Sequence, residues 1–238
     1  MIYQYGSYIC AFGPHPDDVD IGCGGTIWQA TQQGKKTIII DCSSSLYATR
    51  GTEHERREEA QKAGSILGAH ERINLMMQDC HFADTHDQRH RIVTVLRQYK
   101  PEIVLVPHHR DRHPDHAILS TIVYNACFLS GLTKYISHDD TDTPQTPHRP
   151  RLILAYQIWN DADPDIIMAI SPQALEAKFH AFQSFHTQNP TNQHAFDYFR
   201  SRATVLGFRI KQPYGEGFCV INEKLGITSF DHLISGYR

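Results

Sequence analysis

No stretch of this 238-residue chain stays apolar for the roughly 18 residues that crossing a bilayer as a helix demands. Nor does the N-terminus carry a charged region followed by an apolar one, as a secretory leader would. Both absences predict a soluble, cytoplasmic protein. An excess of one charge is missing too: 23 basic and 26 acidic residues leave a net charge of −3. That balance gives no electrostatic footprint for nucleic acid or an anionic membrane, so a small soluble molecule is the expected ligand. Cysteine is sparse and ungrouped. The six residues Cys10, Cys23, Cys42, Cys80, Cys127 and Cys219 show no CxxC spacing, which excludes a Cys-type zinc site and predicts reduced thiols, mostly buried. Internal repeats and low-complexity tracts are absent as well.

What is present is alternation. The short runs Tyr8 to Phe12, Thr37 to Asp41, Ile103 to Pro107 and Leu152 to Tyr156 are rich in β-branched or aromatic residues and read as strands, with Gly217 to Ile221 a further short candidate. Between them, 24–33, 53–67, 88–99 and 114–129 have helical period, as do 172–185 and 195–207. Strands alternating with helices predict an α/β fold with a mostly parallel sheet and helices on both faces, formed as one domain over 1–238. Ligands of such sheets bind beyond the carboxyl ends of the strands. The proline-rich, acidic stretch 137–150 has no periodicity and reads as a surface loop, or as a lid over the site.

Two loops at that edge carry the chemistry. The first strand runs into Gly13-Pro14-His15-Pro16-Asp17-Asp18-Val19-Asp20 and then a Gly-rich helix start, Gly22-Cys23-Gly24-Gly25. Adjacent carboxylates repel unless a cation or hydrogen bonds compensate, and a metal would supply the cation. His15 and Asp18 are close enough for one turn to aim both at an ion, leaving Asp17 free to handle protons. Taken alone, the loop reads better as a helix cap, by Asp18 or Asp20, with a bystander histidine. After the third of these strands, however, comes Pro107-His108-His109-Arg110-Asp111-Arg112-His113-Pro114-Asp115-His116. One histidine of this cluster would complete a His-Asp-His set with an open position, the arrangement of a catalytic zinc site that iron or cobalt could also occupy. The Gly-rich turn does not fit the dinucleotide spacing and reads as close backbone packing.

These two motifs resemble the signatures of the LmbE-like (PIG-L) family of zinc N-deacetylases, an A-H-P-D-D-x-E-x-G-x-G-G-T loop and a later H-P-D-H. Within the family the likeness is greatest to the BshB1-type deacetylases of bacillithiol biosynthesis, which remove acetate from N-acetylglucosaminyl malate. It extends through Thr49-Arg50-Gly51-Thr52, Arg56, Glu58-Glu59-Ala60, Ser130 to Tyr135 and Tyr214 to Phe218. The resemblance implies a Rossmann-like three-layer sandwich and a homo-oligomer, hexameric in relatives. It implies that His15, Asp18 and His116 hold Zn2+, that Fe2+ could substitute, and that Asp17 is the general base. His113, oriented by Asp115, would stabilise the tetrahedral intermediate, and Arg56, Arg202 and Tyr214 would bind substrate. Pro14 stands where relatives carry Ala, Asp20 where they carry Glu, and Cys42 to Ala48 reads CSSSLYA where an acidic residue is frequent. An arginine fork suits the two malate carboxylates, although Arg56 could equally pair with Glu53 or Glu59 on its own helix. Amidase action on another N-acetyl sugar or thiol-sugar conjugate, and a non-catalytic metal- or sugar-binding module, are the competing expectations.

Overall fold

The computed structural model describes residues 8–45, 47, 50–188 and 193–222, the side chain of Gln193 excepted. Leu46, Ala48 and Thr49, which belong to segments quoted above, lie outside the described residues. In chain order the elements are β1 (Tyr8–Gly13), α1 (Asp18–Gln32), β2 (Lys36–Ser43), α2 (Glu53–Leu67), β3 (Glu71–Met77), α3 (His86–Tyr99) and β4 (Ile103–Pro107). They continue as α4 (Pro114–Ser130), β5 (Leu152–Tyr156), β6 (Ile166–Ile170), α5 (Pro172–Gln183), α6 (Gln193–Arg209) and β7 (Tyr214–Val220).

The seven strands form one sheet in the order β3-β2-β1-β4-β5-β7-β6. All neighbours are parallel except β7, which runs antiparallel between β5 and β6. The expected α/β architecture is therefore present, with one reversed strand. The central strands read as unbroken apolar runs because both faces are covered. Cys10 and Phe12 of β1 and Ile38 and Ile40 of β2 enter a core shared with α3 and α4. Ala11 and Ile39, pointing the other way, enter the core built with α1, α2 and α5.

Local chemistry starts and stops the helices where the site needs them. Thr52 and Glu55 form a reciprocal capping box on α2, and Gly68 ends that helix in the left-handed region. Helix α1 is broken at Cys23, whose φ of −141° is not helical. The freed amides of Gly25 and Thr26 donate to the buried carboxylate of Glu216 at 3.2 and 2.7 Å, and Lys178 neutralises that carboxylate at 2.6 Å. Gly22 packs so tightly on the Tyr156 ring that a Cβ there would lie 2.3 Å from it. The Gly-rich turn thus serves close packing, as its spacing suggests.

Two strands escape the sequence pattern. β3 alternates apolar residues with Arg72, Asn74 and other polar ones, and β6 is a five-residue edge strand. The stretch 137–150 is fastened to the far edge of the sheet rather than over the loops that follow the strands. Arg97 Nη1 donates to Ser137 Oγ at 3.0 Å, Gln145 Nε2 to the Thr94 carbonyl at 3.0 Å, and the His148 ring lies 2.7 Å from the Pro101 carbonyl. These partners end α3 and lead into β4, away from the histidine loops. Among the described residues no helix is long and apolar enough to cross a membrane.

Candidate metal and catalytic site

Strand order reverses direction at β1, with β2 on one side and β4 on the other, and the loops after β1 and β4 meet at that switch point. His15 and Asp18 come from the first loop, His113 and His116 from the second. One Asp18 oxygen, Oδ2, lies 3.2 Å from His15 Nδ1 and 3.3 Å from His116 Nε2. A tetrahedral ion with bonds of about 2.0–2.1 Å sets its donors roughly 3.3 Å apart, and both of these distances match that spacing. The ring nitrogens of His15, His113 and His116 also fall within 4.8 Å of one another, and this group could hold a metal.

The tautomer of His113 separates the two donor sets. Its Nδ1 accepts the backbone N–H of Asp115 at 3.2 Å as the ring caps α4. In a neutral ring that leaves Nε2 carrying the proton, a donor and not a ligand. Burial, and then the charge of His15, holds the His113 pKa below the ordinary imidazole value, so neutrality is its normal state.

Carboxylates stand behind both other rings. Asp115 Oδ2 is 3.1 Å from His15 Nε2, and Asp111 Oδ1 is 3.1 Å from His116 Nδ1. Sequence reasoning places the Asp115 carboxylate behind His113. It instead faces His15 and accepts the Cys80 N–H at 3.0 Å, and only the Asp115 backbone touches His113. Asp111 also accepts the N–H groups of His113, at 3.1 Å, and Trp159, at 3.0 Å. It thereby ties the second loop to the chain leaving β5. The Asp115 hydrogen bond is of the kind that fixes the ring of a metal-binding histidine, whereas Asp111 meets His116 Nδ1 as a charge without hydrogen-bond geometry.

Electrostatics follow from this crowding. Burial opposes charge on His15, but Asp115 and Asp18 outweigh it and lift the pKa to about 9. For His116, burial is likewise overcome by Asp18 and Asp111, to about 10. Burial would raise Asp18, yet the cationic His116 and His15 rings hold it well below the usual carboxylate range. Asp17 goes the other way: burial and the adjacent Asp18 push its pKa up to about 7, with Arg56 and His15 opposing. Its backbone sits at φ 125°, a region costly for a non-glycine residue. A carboxyl titrating near neutrality beside residues that could hold a metal is suited to proton transfer at pH 7.

The remaining expected residues divide. Arg56 is buried against this loop, its Nη2 3.4 Å from the Pro16 carbonyl, and its Nε has no hydrogen-bond partner among the described residues. Glu59 does not take it, because that carboxylate accepts from Thr187 N and Oγ1 at 2.8 and 2.7 Å. Arg202 does not reach the cluster. Its Nη1 and Nη2 donate to the carbonyls of Ile158 and Gln157 at 2.7 and 2.9 Å, just ahead of the Trp159 amide that holds Asp111. Tyr214 starts β7 beside Gly207 and packs on the core. Sequence reasoning misses Arg72 and Asp41. Arg72 lies wholly buried with two donors on Asp20 at 2.9 Å and two on Asp41 at 2.8 Å, fixing the loop base. A cavity of about 370 Å³ lies at the opposite edge, under the starts of β1, β4 and β5; its walls are mostly apolar and include none of the histidine cluster.

Fold and site together define an α/β domain with a histidine- and carboxylate-lined cluster at its switch point that could hold a metal. Residues 10–127 match the family model described as PIG-L, GlcNAc-PI de-N-acetylase. The chain is 30% identical over 234 residues to the diacetylchitobiose deacetylase of Thermococcus kodakarensis, covering 93% of this chain and 86% of that protein. Among solved structures it resembles the conserved protein TT1542 from Thermus thermophilus, with a TM-score of 0.84 and 28% identity across 92% of this chain and 97% of the other. It shares the fold of the N,N′-diacetylchitobiose deacetylase from Pyrococcus horikoshii, with a TM-score of 0.76 and 23% identity across 92% and 84% of the two chains. The chain belongs to the PIG-L family of deacetylases.

Proposed function

We propose that this chain is a metal-dependent N-deacetylase that hydrolyses the acetamide of an N-acetylglucosaminyl conjugate. His15, Asp18 and His116 hold the ion, with Zn2+ the favoured metal for two imidazoles and a carboxylate and Fe2+ able to replace it. The observation that carries this reading is the single Asp18 oxygen placed 3.2 and 3.3 Å from His15 Nδ1 and His116 Nε2, beside a carboxyl, Asp17, that titrates at about 7. When bound, the ion activates water and polarises the acetyl carbonyl.

The chain's own residues supply the rest. Asp17 accepts the proton of the attacking water and returns it to the departing amine. His113 donates from Nε2 to the oxygen on which negative charge develops, and needs no added proton because its Nδ1 is already an acceptor. Arg56, buried with an unused Nε, faces the loop that carries Asp17 and binds a polar group of the substrate. Arg202 acts through the backbone of the loop after β5. Tyr214 packs at the rim of that same sheet edge.

The motif resemblance favours N-acetylglucosaminyl malate as substrate, and the name of the Thermococcus relative favours an N-acetylated disaccharide. Acetate release from N-acetylglucosaminyl malate, N,N′-diacetylchitobiose and N-acetylglucosamine, each with zinc and with iron, tests the reading. Hydrolysis of at least one of them, lost on removing the metal, is expected. A metal-loaded protein that releases acetate from none of them would be a binding module. His113→Ala should keep its metal and lose about 10²–10³ in kcat, the cost of one donor aimed at an oxyanion.

A further inference from the structure

We propose that Tyr47 and His81 form an aromatic platform at the rim of the site that takes a second sugar ring joined to the N-acetylated one. The inference rests on the deacetylase reading and adds to it what the enzyme grips beyond the reacting sugar. Tyr47 lies in the loop after β2 and His81 in the loop after β3, and these strands are parallel neighbours whose loops emerge side by side. The two rings stack with centroids 5.7 Å apart and planes 27° from parallel.

An exposed tyrosine on a loop is ordinary. Tyr47 differs because, though 51% exposed, it is held at three points by one short segment. Its N–H donates to the Asp79 carboxylate at 3.2 Å, its hydroxyl accepts from Gln78 Nε2 at 2.9 Å, and its ring lies on His81. Gln88 of α3 braces that segment in turn, donating from Nε2 to the His81 carbonyl at 3.1 Å and accepting the Ala83 N–H at 3.0 Å. A fixed exposed ring has already lost the freedom that binding would otherwise remove.

Its segment is tied to the histidine cluster. Cys80, between Asp79 and His81, donates its N–H at 3.0 Å to the same Asp115 oxygen that stands 3.1 Å from His15 Nε2. The platform is therefore one residue from the carboxylate behind a metal-binding ring. The C–H face of a pyranose matches an aromatic face, and the carboxylates of Asp79 and Asp115 beside the platform leave a neutral ring unopposed.

The test compares wild type, Tyr47→Ala and Tyr47→Phe on N,N′-diacetylchitobiose and N-acetylglucosamine, with calorimetric binding of the disaccharide alongside. The expected result for Tyr47→Ala is that the ratio of kcat/KM for the disaccharide over the monosaccharide falls by up to about tenfold, the worth of one aromatic stack. The loss should lie in KM, and Tyr47→Phe should keep most of the ratio. An unchanged ratio, or equal affinity of wild type and Tyr47→Ala for the disaccharide, overturns the platform. Failure of wild type to bind the disaccharide overturns it too. Absence of acetate release from either sugar, with disaccharide binding still weakened in Tyr47→Ala, contradicts the deacetylase reading alone.

Discussion

Asp115 Oδ2 stands 3.1 Å behind His15 Nε2, while Nδ1 of the same ring faces Asp18 at 3.2 Å. A ring held between two carboxylates cannot turn without losing one of them. Asp115→Asn keeps the size of the side chain and one acceptor but removes the charge that makes His15 a strong base. Loss of such a partner typically weakens metal affinity by about 10–100-fold. Competition with a chromophoric chelator measures it, and an unchanged circular dichroism spectrum shows that the fold is intact. Wild-type affinity in that variant would remove Asp115 from the metal site.

Protons occupy this site in the metal-free protein. With pKa values of about 9 for His15 and about 10 for His116, both rings are charged at neutral pH and both must be deprotonated to bind a cation. Metal binding near pH 7 should therefore release about two protons, and affinity should rise with pH. Calorimetry in buffers of different ionisation enthalpy counts them. No dependence on buffer would contradict the account.

The same shifts set the stability of the metal-free protein. Both histidines have folded pKa values above the ordinary 6.5. Their contribution is full below about 6.5 and disappears as pH rises through about 9 and 10. Asp17, raised to about 7, acts in the same direction at lower pH, losing stability between about 4 and 7. The metal-free protein should melt at a lower temperature at pH 9.5 than at pH 6.5, by calorimetric scanning. A higher melting temperature at the alkaline pH would overturn the assignment of charge.

Arg72 is the second place where the molecule concentrates charge. Its side chain is buried with Asp20 and Asp41, each taken by two donors. Arg72→Met leaves two carboxylates uncompensated in the core and should cost about 3–5 kcal/mol in urea unfolding. Arg72→Lys restores the charge but not the fork, and should fall between. A loss below about 1 kcal/mol for Arg72→Met would mean that the carboxylates find other partners.

The histidine loops are legible in the sequence because each is contiguous. His15, Asp17 and Asp18 fall within four positions, and His113, Asp115 and His116 likewise. The strands β1, β2, β4 and β5 are legible for a similar reason, as short apolar runs buried on both faces. What joins distant positions is not legible. Arg72 meets Asp20 across 52 residues and Glu216 meets Thr26 across 190, and a buried arginine makes β3 look like a surface strand. The direction of β7 is hidden because its alternation is the same either way up. Asp115 belongs to a legible motif, yet its partner is chosen by the turn of α4, which no spacing displays.

Metal dependence and the role of Asp17 are tested together by titrating metal-stripped protein with zinc and following acetate release at each step for wild type and Asp17→Asn. Wild-type activity on an N-acetylglucosaminyl substrate should rise to one equivalent of zinc, and Asp17→Asn should bind the same equivalent while releasing little acetate. Undiminished hydrolysis by the metal-stripped protein, or wild-type turnover in Asp17→Asn, would contradict these expectations.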